Sequence, residues 1–127
     1  MFEKLELIRM AQSLAAHSGA RMAVIAQNVA NADTPGYKAK DVPGFAEVFA
    51  GEGLQLRTSR SGHFGAASQA SAPIADTVRG HESPNGNSVS LEAEMVKSVE
   101  ARQSHDMALA IYRATSDVIR ASLRRLR

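Results

Sequence analysis

The sequence predicts a mainly α protein in which two long terminal helices pair as an antiparallel, coiled-coil-like hairpin around an irregular, partly disordered middle with room for short β segments. Three observations predict it. The first thirty or so residues repeat apolar side chains at alternating steps of four and three, interrupted only by Gly19. From Ser90 to the C-terminus a similar pattern runs without any Gly or Pro. Between them, Ala39 to Val89 holds seven of the nine glycines and three of the four prolines. Residues 1–38 and 90–127 are therefore expected to form one helical assembly domain, with 39–89 as a flexible middle segment.

The first helix is expected from about Phe2 to Ala30. Leu7, Ala11, Leu14, Ser18, Met22, Ile25 and Val29 form its seam, widened by Ile8, Ala15 and Ala26. Gly19 costs it about 1 kcal/mol relative to Ala. At ~1.5 Å per residue the helix is on the order of 40 Å long and cannot bury that stripe on itself.

A corner follows, from Asn28 to Lys38. Pro35 drives Thr34 out of the α region, so the helix ends at or before Asp33. Pro35 and Gly36 suit the central positions of a type II turn flanked by Thr34 and Tyr37, because Pro presets a negative φ and Gly supplies a positive one. Asn31 is suited to a left-handed cap. Asn28, Asn31 and Asp33 carry short polar groups that bond nearby backbone and favour an ordered stop.

In the middle, Phe45, Val48 and Phe49 form one face of a short helical turn ended by Gly51, and Leu54 to Thr58 alternates as a brief strand does. The Ser/Ala tract of residues 66–72 argues against a long regular element.

Ser90 is a good N-cap for a helix opening at Leu91, with Glu92 and Glu94 favouring the positive end of its dipole. Val96, Val99, Gln103, Met107, Ala110, Ala114, Val118 and Ala121 make one stripe. Leu109, Tyr112, Ser116, Ile119, Leu123 and Leu126 make a second. Two adjacent stripes let one helix touch more than one neighbour. Met22, Met95 and Met107 are expected as core filler. Arg120, Arg124, Arg125 and Arg127 complement the negative helix end.

Composition excludes several classes. The 127 residues are 44% hydrophobic but only 5% aromatic, without Trp, which suits close helix packing better than a deep pocket. The absence of Cys removes disulfides and thiol chemistry. A net charge of +2 gives no reason to expect nucleic acid. Glu3, Lys4, Glu6 and Arg9 interrupt any secretory apolar core, and no run is long enough for a direct membrane span. The chain is expected to stay in the cytosol or to leave it without a cleaved signal. The four histidines, His17, His63, His81 and His105, show no metal-ligand spacing. His63 and His81 form an acid–base pair only on paper, and solvated loop positions are the simpler reading. No catalytic, cofactor-binding or metal-binding residue is expected.

The run from Ile25 to Lys38, Ile-Ala-Gln-Asn-Val-Ala-Asn-Ala-Asp-Thr-Pro-Gly-Tyr-Lys, resembles the N-terminal signature of the bacterial flagellar rod, hook and axial proteins. The continuation Ala39-Lys40-Asp41, the segment Thr58 to His63 and the entry Asn85 to Glu92 are similar to its proximal rod members. Ser90 departs from the acidic cap more usual there, and either residue caps. The resemblance implies a structural subunit with no cofactor, exported unprocessed through the flagellar type III apparatus. It implies helical assembly with itself and other flagellar rod proteins into a periplasmic drive shaft whose terminal helices line the export channel. At the proximal end it implies contact with the MS ring and a FliE-like adaptor. The assembly motif carried by the match is Asn28, Asn31, Asp33, Thr34, Pro35, Gly36 and Tyr37. Periodicity sets the inter-helix seam at Leu7, Leu14, Met22, Ile25, Val29, Val96, Val99, Met107, Leu109, Tyr112, Val118, Ile119 and Leu123. Two other classes fit the same features: a helical-hairpin adaptor or export chaperone binding a partner helix, and a small hydrolase acting through His63 and His81.

Overall fold

The computed structural model describes residues 2–52, 76–77 and 83–124. Its elements are helix α1 (Phe2–Ala30), strand β1 (Lys40–Asp41), helix α2 (Phe45–Glu52), strand β2 (Asp76–Thr77) and helix α3 (Leu91–Arg124). α1 and α3 lie side by side and antiparallel. Asn28 meets Glu94 at one end, and Lys4 and Leu5 share a small apolar cleft with Ile119, Ser122 and Leu123 at the other.

Helix α1 stops where Pro35 requires, and α3 starts behind Ser90, whose Oγ accepts from the Ala93 amide at 3.4 Å. The buried line on α1 is Ala11, Ser18 and Ile25, and the line facing it on α3 is Glu94, Ala101, Ala108 and Thr115. Both lines step by seven residues, the repeat that keeps two helices in contact through a left-handed supercoil. Small side chains let the backbones approach. The one hydroxyl on the α3 line deep in the pair, Thr115, donates to the Ile111 carbonyl at 2.8 Å and so costs little to bury.

Within the single chain the expected seam is only partly covered. On α1 the face marked by periodicity is turned inward only in part: Ile25 is buried, and Leu14 and Met22 are half-buried, while Leu7 and Val29 near the helix ends are exposed. On α3 the stripe through Val96, Val99, Met107 and Val118 points away from α1 and is exposed throughout. In the second stripe Leu109 and Ile119 are half-buried, and Tyr112 and Leu123 are exposed. Met95 and Met107 are likewise surface residues rather than core filler. The physical reason is size. A two-helix contact closes best over Ala and Thr, which leaves the larger aliphatic side chains for a different partner.

Beyond the corner the chain returns as an extended strap. Ala39 and Val42 are buried against the helices, and β1 pairs antiparallel with β2, Lys40 opposite Thr77 and Asp41 opposite Asp76. Helix α2 then packs Phe45 edge-on against His17, ring centroids 5.7 Å apart, and against Phe49 at 5.3 Å. It continues through Gly51 to Glu52 instead of ending at the glycine. Ala39 to Pro43 and Ser83 to Val89, middle segment by composition, therefore lie on the hairpin. The expected strand Leu54 to Thr58, the Ser/Ala tract, His63, His81, Arg125, Leu126 and Arg127 lie outside the described residues.

Candidate functional site

The end of α1, the strap and the entry to α3 meet in one polar corner. Thr34-Pro35-Gly36-Tyr37 forms the expected turn, closed by the Tyr37 amide on the Thr34 carbonyl at 3.3 Å, with Gly36 at φ 72°. A second turn, Ser83-Pro84-Asn85-Gly86, is closed at 2.8 Å and places Gly86 at φ 78°. Only glycine takes these φ values without strain. The turns are joined by the Gly36 amide on the Asn85 carbonyl and the Ser88 amide on the Tyr37 carbonyl, both 3.0 Å. Ser88 Oγ accepts from the Ala39 amide at 2.9 Å, and Lys38 Nζ donates to the Gly86 carbonyl at 3.1 Å.

Two buried side-chain amides organise this corner from opposite halves of the chain. Asn28, 0% exposed, donates from Nδ2 to the Lys40 carbonyl at 2.6 Å and accepts at Oδ1 from the Lys40 amide at 3.0 Å. Its carboxamide thus stands in for a strand partner. It also donates to Glu94 Oε2 at 3.0 Å and accepts from the Tyr37 hydroxyl at 3.4 Å. Asn87, 2% exposed, directs Nδ2 at the carbonyls of Asn31, Ala32 and Thr34, at 3.0, 2.7 and 2.9 Å.

Asn31 is not the left-handed cap expected of it: among the described residues only glycines have positive φ. Its side chain instead donates back to the Gln27 carbonyl at 2.8 Å and accepts from Thr34 Oγ1 at 3.3 Å. The carbonyls of Gln27, Asn28 and Val29 at the helix end are met by the Asn31 and Ala32 amides at 3.1–3.2 Å, and Asn87 takes those that follow. Asp33, Thr34, Pro35 and Gly36 are exposed, and Tyr37 is half-buried. Sequence reasoning missed Asn87 because its partners lie more than fifty residues away. The available signal was a second Pro-Asn-Gly-Asn turn immediately before the α3 cap.

Charge pins the strap. Arg21 grips Asp41 with Nε on Oδ1 at 3.1 Å and Nη2 on Oδ2 at 3.4 Å. Lys97 Nζ lies 3.3 Å from Asp41 Oδ2 and 3.0 Å from Glu94 Oε1. Burial alone pushes the Asp41 carboxyl up, but the Arg21 hydrogen bond, the Val42 amide and the charges of Arg21 and Lys97 together hold it below its ordinary value. Burial likewise pulls Lys97 down, and Glu94 and Asp41 more than offset it, so the ammonium is held above its ordinary value. His17 Nε2 donates to the Pro43 carbonyl at 2.8 Å, a structural role at the mouth of a cleft of about 260 Å³ shared with Arg21, Val42 and Phe45.

The second feature is the outward face of α3. Val96, Val99, Met107 and Val118 are 60%, 66%, 53% and 50% exposed, in line along the helix with Ala110, Ala114 and Ala121. Exposed aliphatic side chains in one row, here broken only by Gln103, mark an interaction surface, whereas single ones do not. No described helix is long and apolar enough to cross a membrane.

These features coincide with a known family. The family model for flagella basal body rod proteins matches residues 8–38, most of α1 and the corner turn. The flagellar basal body rod protein FlgB of Agrobacterium fabrum is 29% identical over 120 residues, covering 88% of each chain. FlgB from two strains of Cereibacter sphaeroides is 34% identical over 92 residues, covering 69% of this chain and 70% of the relative. The chain belongs to the FlgB family of flagellar basal body rod proteins. As a member it is a structural component of the rod. The FlgB relatives extend the likeness well past the corner, so both helices of the hairpin fall within the family's span.

Proposed function

We propose that this FlgB-family chain builds the rod by lateral packing of its helical hairpin, with the two termini (residues 1–38 and 90–127) as the assembly domain and 39–89 as a middle segment whose two ends, Ala39 to Pro43 and Ser83 to Val89, are packed on that domain. The observation that carries the proposal is the uncovered aliphatic row on α3. On the other side of the hairpin, α1 exposes Arg9, Gln12, Ala16, Ala23 and Gln27, with Leu5 near its N-terminal end, a surface smaller and more polar than the α3 row. The two outer faces are unlike, so a contact between them is head-to-tail. Such contacts close into rings or continue as helical filaments, whereas a self-complementary patch stops at a dimer.

The seam residues exposed in the single chain, Leu7 and Val29 on α1 and Val96, Val99, Met107, Tyr112, Val118 and Leu123 on α3, then meet other copies and other rod proteins. The motif residues Asn28, Asn31, Asp33, Thr34, Pro35, Gly36 and Tyr37 set the angle at which the middle segment leaves the hairpin. Export through the flagellar type III apparatus without a cleaved signal, a periplasmic position, and a proximal place beside the MS ring and a FliE-like adaptor complete the proposal, on the strength of the family resemblance. The role is structural and not catalytic.

Sedimentation over rising concentration tests it. A rod subunit grows into progressively larger species, and the double variant Val99→Asp/Met107→Asp stays small. A fixed small oligomer, unaffected by that variant, is the outcome for an adaptor or export chaperone and contradicts the proposal.

A further inference from the structure

We infer that the N-terminal corner is capped by the C-terminal half of the chain through Asn87, so that the assembly motif takes its shape only once α3 is docked. The last carbonyls of α1 are met locally, those of Gln27 and Asn28 by the Asn31 amide at 3.2 and 3.1 Å and that of Val29 by the Ala32 amide at 3.2 Å. Past the helix end the chain still has to turn, and a left-handed residue is the usual device there. No residue from Gln27 to Pro35 takes that conformation. The carbonyls of Asn31, Ala32 and Thr34 converge instead on one side-chain amide from across the corner, those of Asn31 and Thr34 also accepting from the Thr34 and Tyr37 amides.

The orientation of that amide is fixed by its surroundings. Asn87 Oδ1 accepts from the Val89 amide at 2.8 Å, its own amide donates to Asn85 Oδ1 at 3.0 Å, and its carbonyl accepts from the Ser83 amide at 2.8 Å. Only the Nδ2 side is left to face the three carbonyls. Val89 is one residue from the Ser90 cap of α3, so the position of Asn87 follows that of the helix. Asn28 provides the reciprocal tie, reaching from α1 to Glu94 in the first turns of α3. The N-terminal segment alone holds neither half of this clasp complete. The corner is therefore complete only in a finished hairpin, and the motif is presented by finished hairpins only.

Amide hydrogen exchange on the full-length chain tests the cap itself, independently of the rod reading. Asn87→Asp keeps the shape and the acceptor for Val89 but replaces the donors with a carboxylate facing three carbonyls. With the donors gone, exchange of the Thr34, Gly36 and Tyr37 amides rises about tenfold or more. The Ile25 and Ala101 amides in the hairpin stay within about threefold of the unaltered chain. Asn87→Ala gives the same pattern more weakly and serves if the Asp variant does not fold. Asn31→Ala, which removes only two exposed local bonds, has a smaller effect than either. Equal acceleration at corner and hairpin, or an Asn31→Ala effect matching Asn87→Asp, overturns the inference. In a motile strain carrying the variant as its only copy, the inference predicts fewer rods and reduced swimming. Normal rods built from a subunit with an open corner overturn the assembly role of the cap and leave the rod reading standing; failure of the unaltered chain to restore rods counts against the rod reading alone.

Discussion

The two sides of α3 differ in a way that inverts the usual expectation for a helix. The side against α1 is lined by Glu94, Ala101, Ala108 and Thr115, and the side facing away carries Val96, Val99, Met107 and Val118. The smaller, more polar row is the buried one. A hairpin closed over Ala and Ser gains little from burial, since each fully buried Val- or Leu-sized side chain contributes about 1.5–3 kcal/mol and Ala much less. The large contribution from burial is left on the surface, available to a partner. The inner side specifies how the chain pairs with itself, and the outer side specifies that it is not finished alone.

The comparison is broken most severely at the corner, where the inner side is polar. Asn28→Ala strips the partners from the Lys40 amide and carbonyl and from Glu94 Oε2, leaving Lys97 on Oε1. With two half-buried backbone groups orphaned at about 1–3 kcal/mol each, we expect a loss of about 3 kcal/mol in urea unfolding, with the outer face unchanged. Next comes Ala108→Leu, which overpacks a position that is 0% exposed. It is expected to cost about 1–3 kcal/mol. Val99→Asp, on the other side of the same helix, is expected to change subunit stability by no more than about 0.5 kcal/mol while blocking self-association. Stability measured by urea midpoint and association measured by light scattering therefore respond to opposite faces.

The smallest effect is one of pH. Asp41 is held below its ordinary value, so it releases its proton more readily folded than unfolded. The stabilisation it contributes is complete above the unfolded value of about 3.9 and is lost as pH falls through the lower folded value. Lys97 is held above its ordinary value, so its contribution is complete below about pH 10.4 and is lost as pH rises through the folded value. Asp41→Asn is expected to flatten the acid limb of the urea midpoint against pH. An unchanged acid limb shows that the strap is held by Asn28 and apolar contacts alone.

Both helices, their ends and the Pro35-Gly36 turn were legible in the sequence, because each rests on local rules: periodicity, a proline that stops a helix, a glycine at positive φ, a serine cap. The choice of face on α3 was not. Periodicity detects the most apolar row, and the hairpin instead pairs through the row whose residues are small enough for close approach. Nor was the corner's closure legible. Asn28 and Asn87 act on residues up to 66 positions away, whereas local chemistry pointed to the nearer Asn31. The motif residues themselves were found by resemblance, and the structure supplies the reason that Asn28 belongs with Pro35 and Gly36: it holds the strap that the turn starts.

The chain has no cysteine of its own, so single substitutions give a clean crosslinking test of which face of α3 meets neighbouring subunits. Val99→Cys and Ala108→Cys place a thiol on the outer and inner faces respectively. In isolated basal bodies labelled with a thiol-directed benzophenone, photocrosslinks to a neighbouring subunit are expected from the label at position 99 and none from position 108. Crosslinking from position 108 with none from position 99 would contradict the assignment of the outer face as the one that meets other subunits.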